Sequence, residues 1–355
     1  MDRTNTNAQN ANARALLSRF RGAQACWTAL ASDGPADSIL QNKVQIRTIT
    51  RSRFWNLHLA LRYQERFDAV FYPGPHWGDY AGLELRSLRG KPAPVIATME
   101  GIIASPDDVQ KISGLVGHPV SSQPGTDAAI PRIRALYQRA DHIIALSPFL
   151  ARVGKLLYGD KLSSLPLGLE TRIFHPEGRQ EPARCRVVGC GTVKASKNIS
   201  AFLRAAAQYK DADFVWFGSG EGLPSFIAEA QQKNLANLHF PGPVPPDTLA
   251  DEFRRSSIFV LPSHSEGVPK VTQEAAACGL PVVVMGFFEA PSVIQNQNGL
   301  VAFSDDELLE HVGTVLRNPP LRSQMGAEGA QMAKAWDWDR IAPQWEAQIL
   351  SSLGR

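Results

Sequence analysis

Short apolar runs, rich in β-branched and aromatic residues, alternate along this chain with longer stretches whose apolar positions recur at helical spacing. A brief apolar run between polar turns reads as a buried strand, and an i, i+3, i+4 recurrence reads as an amphipathic helix. In the first half, strands are predicted at 26–31, 44–49, 68–72, 95–99 and 142–147. Helices are predicted over 13–21, over 53–66, where Phe54, Leu57, Leu61 and Tyr63 follow helical spacing, and over 133–139. A short strand at 162–167 leads toward a linker at 177–182. In the second half, strands at 186–189, 214–218, 238–240, 258–261, 281–285 and 300–303 alternate with helices at 198–209, 223–233, 247–255 and 269–278. Such alternation builds parallel βαβ units, so two doubly wound domains in tandem are expected.

The expected division is an N-terminal Rossmann-like domain over 1–172, a C-terminal one over 173–335, and a closing helix over 336–355 that crosses back to the first domain. Residues 1–12 are polar and Asn-rich and read as disordered. The helix at 13–21 precedes the first strand with no apolar strand and glycine turn ahead of it. The N-terminal domain is therefore expected to lack one strand.

Chemistry concentrates between Ile258 and Met285 (IFVLPSHSEGVPKVTQEAAACGLPVVVM). An apolar strand ends at Pro262, and a polar loop carries Ser263, His264, Ser265, Glu266 and Gly267. Pro269 suits the first turn of a helix, Gly279 its C-terminal end, and Pro281 the residue beyond. Ligands of doubly wound sheets bind where strands end at their carboxyl edge. Glu266 is thus placed beside a helix N-terminus, with the amides of Gly267, Val268 and Lys270 directed into the same space. Glu274 follows two turns along. As a lone pair these glutamates would be a helix-end charge and a solvated helix residue. Their surroundings reverse that reading.

Glu-x7-Glu between a strand and Ala-Ala-Ala-Cys-Gly-Leu-Pro-Val-Val resembles the signature of the retaining GT-B glycosyltransferases of family 4. The likeness continues in order along the chain. Val188-Gly189-Cys190-Gly191-Thr192-Val193 with Lys197-Asn198 resembles the family's first C-domain strand and diphosphate loop, and Phe214–Gly218 with Ser219-Gly220-Glu221 its strand and Gly-x-Gly element. Residues 238–244 (LHFPGPV) resemble its base-contacting turn, residues 141–147 and 165–174 the end of its N-domain, and Trp338-Asp339 its closing helix.

The resemblance implies the GT-B fold, two Rossmann-like domains facing a cleft, and transfer from a UDP-sugar or GDP-sugar with no further cofactor and no metal. It implies that Glu266 contacts the donor sugar, Glu274 the ribose, Lys197 with the amides of Gly191 and Thr192 the diphosphate, and the Val244 amide the base. In the retaining family the donor phosphate takes the acceptor's proton, so Glu266 is read as a sugar-positioning group and not as a nucleophile. Two positions depart from the pattern. Thr192 stands where the family has arginine, and Glu100 follows the 95–99 strand where the family often has histidine. Glu100 can bond a sugar hydroxyl but cannot donate as a neutral imidazole does. These departures leave a second reading, a catalytically impaired protein that binds nucleotide sugars; an epimerase or hydrolase on the same architecture is a third.

Other candidates carry less. Asp211-Ala212-Asp213 and Asp337-Trp338-Asp339 spell the Asp-x-Asp of metal-dependent transferases, but one precedes a strand and the other opens a helix, positions suited to turn and capping residues. His76, in Pro-Gly-Pro-His-Trp-Gly, follows a strand and reads equally as a cleft residue or as part of a turn.

Composition narrows the setting. A net charge of +3 is too small to argue for nucleic acid, which is not expected as a partner, and is compatible with an anionic donor, with a weakly anionic surface, or with neither. The expected partners are a nucleotide sugar and a glycan or lipid-linked acceptor. Cys26, Cys185, Cys190 and Cys278 show no metal spacing. No apolar run reaches the ~18 residues of a membrane span, and the polar start is no signal peptide. A cytoplasmic setting, peripheral at an inner membrane face, is the expectation.

Overall fold

The computed structural model describes residues 8–23, 25–30, 44–49, 68–72, 93–122 and 130–352. The predicted helix at 53–66 and the turn bearing His76 lie outside these residues. The chain divides into two compact units, each described by itself. One comprises Met1–Ile103, Gly125–Gly168 and Trp338–Arg355; the other comprises Ala104–Pro124 and Leu169–Asp337. The sequence-based division kept 104–124 with the first half and placed its boundaries at 172/173 and 335/336.

The first unit opens with α1 (Ala8–Leu17). Residues 8–12, expected to be disordered, are helical, because alanines at 8, 11 and 13 favour helix within the polar stretch. Helix α1 packs on α11 (Trp338–Ser351), burying Ala13 and Leu16. Just past its end, the amides of Arg21, Gly22 and Ala23 donate to the Glu346 carboxylate at 2.6–3.0 Å.

Strands β1 (Ala25–Leu30) and β2 (Val44–Ile49) pair in parallel. A second parallel sheet has the order β3 (Val70–Tyr72), β4 (Val95–Met99), β5 (His142–Ala145) and β6 (Leu162–Ser164). β4 is buried at every position, which is why an unbroken apolar run specifies it. β5 ends two residues before the predicted 147. Ser147 instead caps α4 (Pro148–Tyr158), its Oγ accepting from Leu150 N at 3.1 Å with Pro148 in the first turn. Helix α3 (Ile130–Arg139) buries Ile133, Leu136 and Tyr137.

The second unit is one six-stranded parallel sheet of β7 (Arg186–Cys190), β8 (Asp213–Phe217), β9 (Leu238–Gly242), β10 (Ile258–Leu261), β11 (Val282–Met285) and β12 (Gly299–Ala302). Its order is β12-β11-β10-β7-β8-β9, so the direction of winding reverses between β7 and β10. Every residue of β10 and β11 is buried, and each fully buried Val, Leu, Ile or Phe contributes about 1.5–3 kcal/mol. Helices α5 (Ile199–Gln208), α6 (Leu223–Gln232), α7 (Pro246–Arg254) and α8 (Lys270–Ala277) follow the predicted spans closely. Three further helices were not predicted. These are α2 (Pro106–Val116), α9 (Asp305–Leu316) and α10 (Pro319–Ala333), capped by the side chains of Ser105, Ser304 and Asn318.

Residues 177–182, read as a linker, are fastened to this unit. Glu181 accepts from Arg179 at 2.9 Å and from Arg322 at 3.0 Å, and Arg179 also reaches Ser256 O at 2.7 Å.

Candidate active site at the switch point of the second sheet

Doubly wound sheets bind ligands outside the carboxyl ends of the strands flanking the winding reversal. Here those strands are β7 and β10, and the loops that follow them hold most of the sequence-predicted residues. After β7, the Gly191 amide continues the ladder by donating to Phe217 O at 2.9 Å. That corrects one expectation. The Gly191 N–H is consumed by the sheet and is not free for a diphosphate, whereas the exposed Thr192 next to it has no hydrogen-bond partner among the described residues. Val193 N then donates to Ser219 O at 2.9 Å, pinning the loop to the turn after β8. Gly218 makes this possible. Its φ is +139°, and a Cβ there would stand 2.1 Å from Gly191 O.

The loop closes as a short 3-10 turn, Ala195–Lys197, that delivers the Lys197 side chain across Gly191. Lys197 Nζ pairs with Glu266 Oε1 at 2.5 Å, with side chains only 12% and 14% exposed. The pair is one lysine and one carboxylate held at the switch point, largely out of water, where a charge pair acts far more strongly than at the surface.

The loop after β10 runs through Ser263, His264, Ser265 and Glu266 to α8. Pro269 caps that helix with φ −73° and ψ 93°, one residue before the first turn that the sequence suggested, because its ψ is still extended. The helix begins at Lys270. Among the described residues, the amides of Gly267 and Val268 have no hydrogen-bond partner. Gly279, at φ +81°, ends α8 as expected, with Leu280 N reaching back to Ala275 O at 3.1 Å.

Glu274 lies on α8. Burial holds its carboxyl above the usual carboxylate range, with Lys270 pulling the other way. Cys190, at the end of β7, is pushed up to about 12 by burial, with Glu274 adding to the rise and Lys197 opposing it. Glu274 and Lys197 therefore both bear on the end of β7. Val244, two residues past β9, packs partly buried against the core, and Gly242 O accepts from Gly218 N at 3.1 Å.

Glu100 follows β4 in the first unit. There burial, then Tyr158 and then Glu100 push the Tyr137 hydroxyl above its ordinary range, and that hydroxyl donates to Thr98 O at 3.1 Å.

Three of the four Asp-x-Asp carboxylates have protein partners. Asp213 pairs with Arg184 at 2.9 Å, Asp337 accepts from Thr171, and Asp339 pairs with Arg19 at 2.6 Å. Among the described residues there is no group of three or more His, Cys, Asp or Glu residues arranged for a metal.

Three participants escaped sequence reasoning. Asn198 and Asp305 bond to each other beside Lys197 at 2.8 Å, and Ser265 Oγ donates to Ser122 O at 3.1 Å. Only Asn198 carried a signal, as an asparagine following the lysine of the diphosphate loop. Ser122 belongs to the 104–124 segment, which Ser121 N also ties to Phe287 O at 3.2 Å and His118 ties to Glu289 at 3.0 Å.

The model of the glycosyl transferases group 1 family matches residues 179–332, from the anchored linker through α10 and across both loops of the site.

This matched segment sits in a chain with relatives over a wider span. An alpha-galactosylglucosyldiacylglycerol synthase of Streptococcus pneumoniae is 24% identical over 59% of this chain and 61% of its own length. A D-inositol 3-phosphate glycosyltransferase of Paenarthrobacter aurescens is 25% identical over 84% of this chain and 74% of its own. Across such curated relatives the matches span from 36% to 74% of the relative's length. Among solved structures, Anabaena HepE in complex with UDP shares the fold over 99% of this chain and 98% of its own, with TM-score 0.75 at 16% identity. The chain therefore has the expected α/β GT-B fold with parallel sheets.

Proposed function

We propose that the protein is a retaining glycosyltransferase that moves a sugar from a UDP-sugar or GDP-sugar to a hydroxyl acceptor. The observation that carries this reading is the Lys197–Glu266 pair at the switch point, 2.5 Å long and flanked by the partnerless amides of Gly267 and Val268. The departing diphosphate gains negative charge as the glycosidic bond breaks. A preorganised ammonium and amide donors stabilise that charge more than they stabilise the bound donor, which is how they accelerate the reaction. In this reading Lys197 and the Thr192 amide hold the phosphates, and Glu266 bonds the hydroxyls of the sugar. Glu274 is assigned to the ribose, Val244 to the base, and Glu100 to a sugar hydroxyl. The Lys270 amide joins those of Gly267 and Val268 at the start of α8. Lysine and amides supply this stabilisation without a metal, and the acceptor proton passes to the donor phosphate.

The acceptor in this reading is a glycan or lipid-linked hydroxyl, and the product serves glycan, polysaccharide or glycolipid synthesis. Supporting it are the group 1 match and relatives named for transfer to inositol 3-phosphate and for diacylglycerol glycolipid synthesis. Among the described residues, no helix is long and apolar enough to cross a membrane, and peripheral contact from the cytoplasmic side remains part of the proposal.

The test has two stages. Thermal shift against UDP and GDP identifies the base, since a ligand bound only by the folded state raises the melting temperature. UDP-sugars or GDP-sugars are then supplied with and without sugar and glycolipid acceptors. Acceptor-dependent release of the nucleotide, with the anomeric configuration of donor and product equal by NMR, is expected. Binding without turnover would instead favour the impaired protein, a reading that gains from the Gly191 amide being used up in the sheet. Failure of both nucleotides to bind would sink both.

A further inference from the structure

One histidine holds the chain on both sides of Lys197. Its backbone N–H donates to Ser196 O at 2.9 Å, and its ring Nε2 lies 2.9 Å from Asn198 Nδ2. This residue, His264, stands two positions before Glu266, so it touches both loops next to the ion pair they share. We propose that His264, Asn198 and Asp305 act as positioning residues that fix Lys197 against Glu266 for catalysis. The proposal rests on the glycosyl-transfer reading and deepens it.

Proton accounting fixes the arrangement. A carboxylate only accepts hydrogen bonds, so Asp305 Oδ1, 2.8 Å from the Asn198 amide, requires the NH2 face of that amide. Turning the amide over would set its carbonyl oxygen against a carboxylate oxygen. The second hydrogen of the same NH2 group then points at His264 Nε2, which must offer a lone pair. Asp305 is itself held, as the first residue of α9 behind the Ser304 cap and 3.5 Å from Arg204. The Asn198 amide thus directs one hydrogen to Asp305 and the other to His264, which specifies one orientation of its side chain.

Asn198 also sets the backbone. It adopts the left-handed conformation, φ +48° and ψ 48°, and its N–H closes the 3-10 turn on Ala195 O at 3.1 Å. Asparagine reaches that region at lower cost than most residues, because its short side chain finds local polar partners. The turn is what aims Lys197 across Gly191. The Asn198 side chain is the direct hydrogen-bonded tie from the end of the 3-10 turn to α9, and the His264 ring, joined to the turn through Ser196 O, lies 3.6 Å from the same Asp305 oxygen. A lysine displaced by a fraction of an ångström still attracts a diphosphate but no longer meets the developing charge squarely, and such misplacement is felt in turnover.

Four variants of the full chain test this. Asn198→Gly keeps the left-handed backbone and removes only the amide, His264→Leu removes the ring acceptor, and His264→Gln returns an acceptor oxygen. The fourth combines Lys197→Ala with His264→Leu. The expectation is that His264→Leu and Asn198→Gly lower turnover by about tenfold while the donor KM stays within about twofold. His264→Gln should recover most of that loss, and His264→Leu should cost nothing further once Lys197 is alanine. In parallel, hydrogen exchange of the 194–198 amides, which needs no substrate, should quicken in His264→Leu and Asn198→Gly and not in His264→Gln. Unchanged exchange in His264→Leu overturns the proposal, as does a turnover loss that persists in the Lys197→Ala background. If the wild-type protein consumes no sugar nucleotide, the glycosyl-transfer reading fails instead, and the exchange comparison alone decides whether the network holds the lysine loop.

Discussion

Lys197 and Glu266, 69 positions apart in the chain, meet at 2.5 Å across the switch point of the second sheet. Both side chains are mostly withdrawn from water. A pair so placed costs desolvation and needs close geometry to offset it, which makes each partner sensitive to loss of the other.

Replacing Lys197 by alanine should therefore lower turnover by about 10²-fold, with a much smaller change in donor affinity, because the charge it meets grows in the transition state. Steady-state kinetics with saturating donor separate the two effects. Wild-type turnover in the variant would place stabilisation of the diphosphate elsewhere. Thr192→Arg is the companion variant, with a rise in turnover expected if the missing cation limits the rate.

Glu274→Ala should weaken UDP or GDP binding by about 1–3 kcal/mol, as a charged hydrogen bond to the ribose is lost. Calorimetric titration measures this directly. The same carboxyl gives a pH signature in the apoprotein. Its folded-state pKa is raised by burial, so above the ordinary glutamate value of about 4.3 the unfolded chain releases its proton first. Stability should fall as pH rises through that window. Glu274→Gln should flatten this part of the melting-temperature profile, and an unaltered profile would mean that the carboxyl is not desolvated.

Gly218→Ala is expected to disturb the lysine loop without touching a charged group. The new Cβ would stand 2.1 Å from Gly191 O, and alanine disfavours φ +139°. The Gly191 backbone must move, so nucleotide affinity should fall while the separate first unit melts as before. Domain-resolved hydrogen exchange with nucleotide titration checks both halves of this expectation.

Glu346 offers a test confined to the first unit. Its carboxylate gathers the amides of Arg21, Gly22 and Ala23, and Glu346→Ala would leave three donors without it. A loss of about 2–4 kcal/mol in urea denaturation is expected. Glu346→Gln, which keeps one acceptor oxygen, should lose less. Equal stability of all three proteins would show that water replaces the carboxylate at no cost.

The strands, helices α5 to α8 of the second unit and the residue types of the site are legible in the sequence because each is a local property. Val282–Met285 reads as a strand since both faces of a central parallel strand are buried, so an apolar run suffices. Gly279 and Pro281 end α8 by their own backbone preferences. Helices α2, α9 and α10 were missed even though Ser105, Ser304 and Asn318 cap them, because cap residues are common in loops as well. Tertiary structure alone decided that β10 lies beside β7, and with it that Lys197 meets Glu266. It also decided that the Gly191 amide is taken by Phe217, that Ser122 reaches Ser265, and that Asn198 finds Asp305 from 107 positions away. A hydrogen bond has no preference for nearness in sequence. Its partner is set by which strands become neighbours, and that choice is made by burying the whole sheet at once.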